Sequence, residues 1–327
     1  NEHFKAGRHA EAKASYACAL ALIEQLPLSE DSSLKTDIQE RHVKCALNRI
    51  ACLLKLHGYD AARREAIAVL KLVPESAKAH LFLGKACEAV GLISDAQAAY
   101  TASVKLSPQL REPREALDAV RARLKESPQL LQMYEDVHLL EERALRALNH
   151  ADLGRTRQQL ELLLKEARAH REAHWECRAL LGLALVCQEE AESEGAADYM
   201  AAARRTLGKA GDSPDVRGEA FHAHTAAILL LDEGKSAQAS PFLTGAMQLA
   251  DEMDDELLQC RVLNSLAAAA LLERDWNQSV ERSTEAVSLA QRLGEQHVEG
   301  VAHVTLGQAL AALKRTQEAA DALKRGA

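Results

Sequence analysis

The sequence predicts an all-α fold, a right-handed α-solenoid of tandem helix-turn-helix repeats, and three observations lead there. The 327 residues are 47% hydrophobic but only 3% aromatic, with 16 Gly and 7 Pro. That composition suits helices packed through small residues and argues against a turn-dense β sandwich or a disordered tail. Two 34-residue units, 43–76 and 77–110, superpose, and small-residue pairs recur at 40 to 43 residues further on. A fixed period of that size signals stacked supersecondary units. Finally, Pro74 and Pro108 fall near the ends of these two units, where a helix has to end.

Taken in order, Asn1 to Gly7 followed by Ala12, Tyr16 and Ala19 reads as a unit entered partway through its first helix, so a piece upstream is expected. In the next unit Ala51, His57, Ala62, Ala66 and Pro74 occupy the columns that Leu83-Gly84, Gly91, Ala96, Tyr100 and Pro108 fill in the third. Gly84 and Ala96 are expected where the two helices of a hairpin nearly touch, because a larger side chain there would push them apart. The polar segment 112–125 reads as a capping helix that Ser127-Pro128 ends. Residues 1–125 therefore form a three-repeat domain, and 126–134, where Ser, Pro and Gln interrupt the apolar period, form a joint. Residues 135–327 hold about five longer units. Leu183-Ala184, Ala226-Ala227, Leu266-Ala267 and Leu306-Gly307 mark four of them, each followed by a small residue at Ala196, Ala239, Ser279 or Ala319. The remaining unit, 143–170, is expected to turn near Gly154 and to carry Gln159 in its second-helix column.

These columns resemble the tetratricopeptide repeat family: Leu83-Gly84 in helix A, Gly91 at the turn, Ala96 and Tyr100 in helix B, Pro108 before the next unit. The longer units resemble the roughly 40-residue variants of kinesin light chains and of the adaptor that links G-protein subunits to spindle proteins. The resemblance implies a stacked array whose A helices line a concave groove, and a role in protein–protein interaction. Function is sought in that groove.

The first three units resemble, more narrowly, the carboxylate clamp of co-chaperone repeats, which grips the acidic C-terminal tail of heat-shock chaperones through Lys, Asn, Asn, Lys and Arg. Asn1, Asn48 and Lys78 fall on matching positions; the first Lys would lie upstream, and Phe82 stands in the Arg column. Lys85, one turn along the same face, is a candidate replacement. Ammonium and amide donors converging on a terminal carboxylate form charge-assisted bonds that an internal peptide cannot reproduce. In the longer units the same register gives a second groove of Arg178, His224, Thr225, Arg261, Asn264, Ser265 and Gln308, which would take another peptide or client. Asn264 stands one residue earlier than the peptide-holding Asn of long repeats, with Ser265 in its place. The alternative is a chaperone-independent adaptor of motor-cargo, spindle or signalling type in which the clamp has decayed.

Other function classes find little support. A net charge of -8 argues against binding nucleic acid by phosphate neutralisation, and no apolar run is long enough to cross a membrane. Residues 1–125 carry 19 basic and 15 acidic side chains, 126–327 carry 21 and 33; the first balance suits an acidic tail, the second a basic partner. Seven cysteines without a Cys-x-x-Cys pair indicate no disulfide framework or zinc site and favour a reducing, cytoplasmic setting. Cys45 and Cys52 read as small interface hydrophobes. His170 and His174 share a helical face, but no adjacent Glu completes a zinc-protease pattern, so they are read as solvated partners of carboxylates. His222 and His224 are expected on different faces. No phosphate loop or nucleophile motif appears, so no enzyme, cofactor or metal is implied.

Overall fold

A computed structural model describes residues 2–25, 32–126, 140, 143–144, 152–170, 172–208 and 215–326. Among these there are sixteen helices and no strand. Asn1 and all of the expected joint except Glu126 lie outside the described residues. The helices are α1 (Glu2–Lys5), α2 (His9–Glu24), α3 (Ser32–Lys55), α4 (Tyr59–Leu72), α5 (Ala77–Ala89), α6 (Ile93–Leu106), α7 (Arg111–Glu126) and α8 (Leu153–His170). They continue as α9 (Ala173–Glu189), α10 (Ser193–Leu207), α11 (Val216–Asp232), α12 (Ser236–Met253), α13 (Glu256–Leu272), α14 (Trp276–Leu293), α15 (Gln296–Ala312) and α16 (Thr316–Gly326).

The repeat shows most plainly in the backbone of the turns. His57, Gly91, Ala191, Gly234, Arg274 and Lys314 all take a left-handed φ, between +59° and +84°, at the turn where an A helix gives way to its B helix. Gly7 does the same between α1 and α2. Five residues beyond each of these turns stands a small residue that is fully buried: Ala12, Ala62, Ala96, Ala196, Ala239, Ser279 and Ala319. Here the helices of a hairpin come closest. Ser279 Oγ donates to the Ala267 carbonyl across the hairpin at 2.9 Å, which ties the small residue of one helix to its counterpart on the other. In the third unit a methyl group added at Gly84 would overlap the Tyr100 ring, so glycine is what lets that tyrosine lie flat in the hairpin. The Tyr100 hydroxyl donates to Glu88 Oε2 at 2.8 Å.

By the same offset from the helix start, the small-residue column of α8 is filled by Thr156, which is 2% exposed, and not by Gln159, which is half-buried. The expected turn near Gly154 is also displaced, because Gly154 is the second residue of α8. Threonine hides the column: its Oγ1 donates back to the Asp152 carbonyl at 2.8 Å, so a β-branched polar residue sits where Ala is usual.

Contacts divide the chain into two units, residues 1–138 with 252–254, and residues 139–251 with 255–327. In the first, α3 packs on α4 and on the next A helix α5, α5 packs on α6, and α7 covers α6 with Leu117 and Val120 buried. Ala12, Tyr16 and Cys52 form a small cluster with Phe4 against it, and Cys45 is half-buried. In the second, α9 packs on α8 and α10, and the A helices α9, α11, α13 and α15 touch in succession. The core there is Trp175, Leu180, Leu183, Leu243 and Leu258 with the cluster around Cys260, Ala286 and Ala302. Burial pushes the thiols of Cys87 and Cys260 up to about 11 and that of Cys177 up to about 12, so these cysteines act as small apolar side chains. No described helix is long and apolar enough to cross a membrane.

Candidate functional site

In the first unit the clamp candidates lie on neighbouring A helices. Asn48, on α3, is half-buried and its amide hydrogen-bonds the Tyr16 side chain. Lys78, at the start of α5, is exposed, and its ammonium lies 5.4 Å from the centre of the Phe82 ring. Phe82 is 8% exposed. The residue in the Arg column therefore supplies a π face that positions Lys78, where an arginine would have supplied donors. Lys85 stands further along the same face of α5, and its ammonium is paired with Glu112 of α7. Arg49, next to Asn48, pairs with Glu65 of α4. Asn1 lies outside the described residues.

In the second unit the register places the candidates on the A helices in aligned rows. Arg178 of α9, Phe221 of α11, Arg261 of α13 and Val301 of α15 occupy one row, one turn before the buried row of Leu181, His224 and Asn264 with half-buried Val304. Arg178 lies 5.0 Å over the Trp175 ring. His224 Nε2 is 3.0 Å from Ser265 Oγ, which in turn donates to the Arg261 carbonyl at 3.3 Å. Burial, then the charge of Arg261, holds His224 down at about 4, so it is a neutral imidazole linking α11 to α13. Thr225 is buried and its hydroxyl donates to the Phe221 carbonyl at 2.9 Å. Asn264 donates from Nδ2 to the Val298 carbonyl of α15 at 3.5 Å. Gln308 is exposed. Thus the structure brings Arg178 and Arg261 to the partly open surface, and gives His224, Thr225, Asn264 and Ser265 roles in the contacts between or within A helices.

Two histidine readings resolve differently. His222 is buried with its bond toward the Met200 carbonyl on α10, whereas His224 meets Ser265, so the two do face apart. His174 is not a solvated partner of carboxylates. Its ring stacks on Trp175 with centroids 4.6 Å apart, and burial followed by the Arg178 charge lowers it to about 4. The sequence also left Arg217 and His297 unnoticed. Arg217 lies 5.6 Å over the Phe221 ring, and its Nε is 3.5 Å from Asp255 Oδ2. The signal that would have found them is the helical step itself: His174, Arg217 and His297 each precede the Arg178, Phe221, Val301 row by four residues. Among the described residues no group of His, Cys, Asp and Glu is gathered that could hold a metal ion.

An array of antiparallel helical hairpins with αL turns and small-residue contacts is the class of fold that these two units define. No family model matches the chain, and no curated protein matches it. Among solved structures it is similar to the myosin chaperone UNC-45 from C. elegans in complex with an Hsp90 peptide, at 16% identity and a TM-score of 0.39, over 98% of this chain and 35% of that one. It is also similar to yeast Tom70, at 12% identity and TM-score 0.29 over 100% of this chain and 82% of that one. The P58(IPK) TPR domain gives 14% identity and TM-score 0.29 over 99% and 96%. The chain thus spans about a third of the length of UNC-45. These neighbours are repeat proteins, and the fold of this chain rests on its own hairpins and turns.

Proposed function

We propose that the chain is a protein–protein interaction scaffold whose A helices hold extended segments of other proteins, and that the first unit receives an acidic C-terminal tail of the kind carried by heat-shock chaperones. The observation that supports this most is the exposed Lys78 ammonium standing over Phe82 on α5, with the Asn48 amide on the adjoining A helix α3. An ammonium and an amide on adjoining helices offer a terminal carboxylate charge-assisted bonds. A co-chaperone or chaperone-linked adaptor is the finer reading.

One observation favours the runner-up, a chaperone-independent adaptor. Lys85, the cation that would stand in for the absent arginine, is already engaged by Glu112. The two readings separate in a titration with an acidic chaperone-tail peptide as the free acid and as the C-terminal amide. Under the clamp reading the free acid binds more tightly, Lys78→Ala removes the difference, and Phe82→Arg and Glu112→Gln each strengthen the free acid by several-fold. Equal binding of acid and amide in the wild type would leave the adaptor reading.

A further inference from the structure

The A helices of the second unit each keep one stripe partly open, at steps of three and four residues beside the buried faces. Near the ends of α9, α11 and α13 this stripe is apolar. Leu185, Ile228 and Ala268 stand six residues before the αL turns at Ala191, Gly234 and Arg274, and all three are half-buried. One turn further along α13, Leu272 is 48% exposed. Because α9, α11 and α13 touch in succession, these side chains make an apolar strip that crosses three helices. Behind the strip Asn264, one turn before Ala268 and 8% exposed, keeps an Oδ1 with no hydrogen bond among the described residues. A backbone N–H of a bound segment would satisfy that acceptor.

Carboxylates edge the strip. Glu189 and Asp232 are the equivalent residues two before the turns of α9 and α11, Glu273 stands just past α13, and all three are exposed. Among the described residues none of them is paired with a cation: their neighbours Glu190 and Glu233 are the ones taken by Arg157 and Lys235. Asp232 accepts from the Gln188 amide, which leaves its charge in place, and burial raises its carboxyl. Glu189 acts through its charge on His297 of α15, an imidazole that burial and Arg261 keep neutral. The last carbonyls of the A helices end at this edge too, and their dipoles add to its negative potential. The arginines of the A helices are set back from it. Arg178 and Arg261 come eleven residues before Glu189 and Leu272, about 16 Å along the helix, and Arg217 is occupied by Asp255.

We propose that this strip is a docking site for a basic, apolar segment of a partner protein, an extended stretch that sets Lys or Arg against Glu189, Asp232 and Glu273 and Leu-type side chains on Ile228, Ala268 and Leu272. The spacing defines the segment further. Packed helices lie about 8–10 Å apart, and residues three apart in a polyproline-II-like chain are about 9 Å apart on one side, so a cation at every third position meets one carboxylate per A helix. The proposal rests on the scaffold reading and is independent of the terminal-carboxylate clamp, because its ligand has the opposite charge and needs no chain end.

The test uses the full chain and a peptide of about 15 residues with Lys at every third position and Leu beside each, acetylated at its N-terminus and amidated at its C-terminus. Fluorescence anisotropy is expected to show binding that weakens between about 50 and 500 mM salt and is lost when Gln replaces Lys in the peptide. Glu189→Gln, Glu273→Gln and Leu272→Ser are each expected to weaken it about threefold, and Glu189→Gln, Asp232→Gln and Glu273→Gln together at least about tenfold. Glu281→Gln, an exposed change on the B helix α14, is expected to leave it unaltered. All these positions are exposed, and circular dichroism of each variant separates lost binding from lost folding. Equal binding of the Gln peptide, indifference to the combined carboxylate change, or equal weakening by Glu281→Gln would each overturn the proposal, the last by reducing it to a general attraction between opposite charges. No binding of the Lys/Leu peptide by a chain that does bind the acidic chaperone tail would overturn this site and leave the scaffold reading intact; binding of neither would count against both.

Discussion

Single residues decide how close the hairpins come. Gly84 lies against the Tyr100 ring, so Gly84→Ala forces the ring or its helix to shift and is expected to cost about 1–3 kcal/mol, read as a lower melting temperature. Gly245 makes the opposite case. It lies within α12, nothing comes within 4 Å of the position a Cβ would take, and Gly245→Ala is expected to add roughly 0.5–1 kcal/mol from helix propensity alone. The buried His224 sets a pH dependence. Its folded pKa, about 4, is below the ordinary value of 6.5, so the unfolded chain takes up the proton first. The stability it contributes is therefore complete above pH 6.5 and is lost as pH falls toward 4, on the order of 1–3 kcal/mol. Melting scans from pH 7.5 to 5 are expected to fall for the wild type and to fall less for His224→Gln, after allowing for its lower starting stability.

At the scale of the element, the αL turn is the feature that repeats most faithfully and was least legible. Gly91 and Gly234 announce it, but His57, Ala191, Arg274 and Lys314 adopt the same backbone without the residue that signals it. An L side chain in this region costs roughly 1 kcal/mol or more relative to glycine. Ala191→Gly, Arg274→Gly and Lys314→Gly are each expected to raise the stability of the second unit by about that amount, measured by denaturant midpoint, and a decrease would mean that the side chain makes contacts outweighing the strain. The small-residue column was legible wherever Ala or Ser fills it, because the spacing from the Leu-Ala pairs survives. It was misplaced by three residues in α8, because Thr156 does not look like a contact residue until its hydroxyl is seen bonded to the helix's own backbone. Filling the column should be severe: Ala239→Leu adds three carbons where 0% of the side chain is exposed, and loss of cooperative unfolding in the second unit is the expected outcome.

Across the whole molecule the sequence showed the fold class and the period, since both follow from composition and spacing. The functional surface was harder to read. The seven residues proposed for the second groove were taken from a register borrowed from other repeats, and several of them, His224 and Ser265 above all, are engaged in linking one A helix to the next. Arg217 and His297 were missed because a stripe that crosses four helices is written in the sequence at intervals of about 40 residues, with nothing local to mark it. Net charge is no guide to placement for the same reason: a sum over 202 residues does not say on which helix a charge lies. Among the described acidic side chains, Asp215, Asp255 and Asp275 cap helix starts, and Glu176, Glu190 and Glu192 are paired with arginines.

That partners lie along the A helices is tested most directly by photo-crosslinking. The acidic chaperone-tail peptide, carrying a photoreactive residue at its centre, is irradiated with the full chain and the adducts are mapped by mass spectrometry. Adducts on the A helices α3 or α5 are predicted, centred on Asn48 and Lys78. Adducts confined to the B helices α2, α4 and α6 would contradict the account.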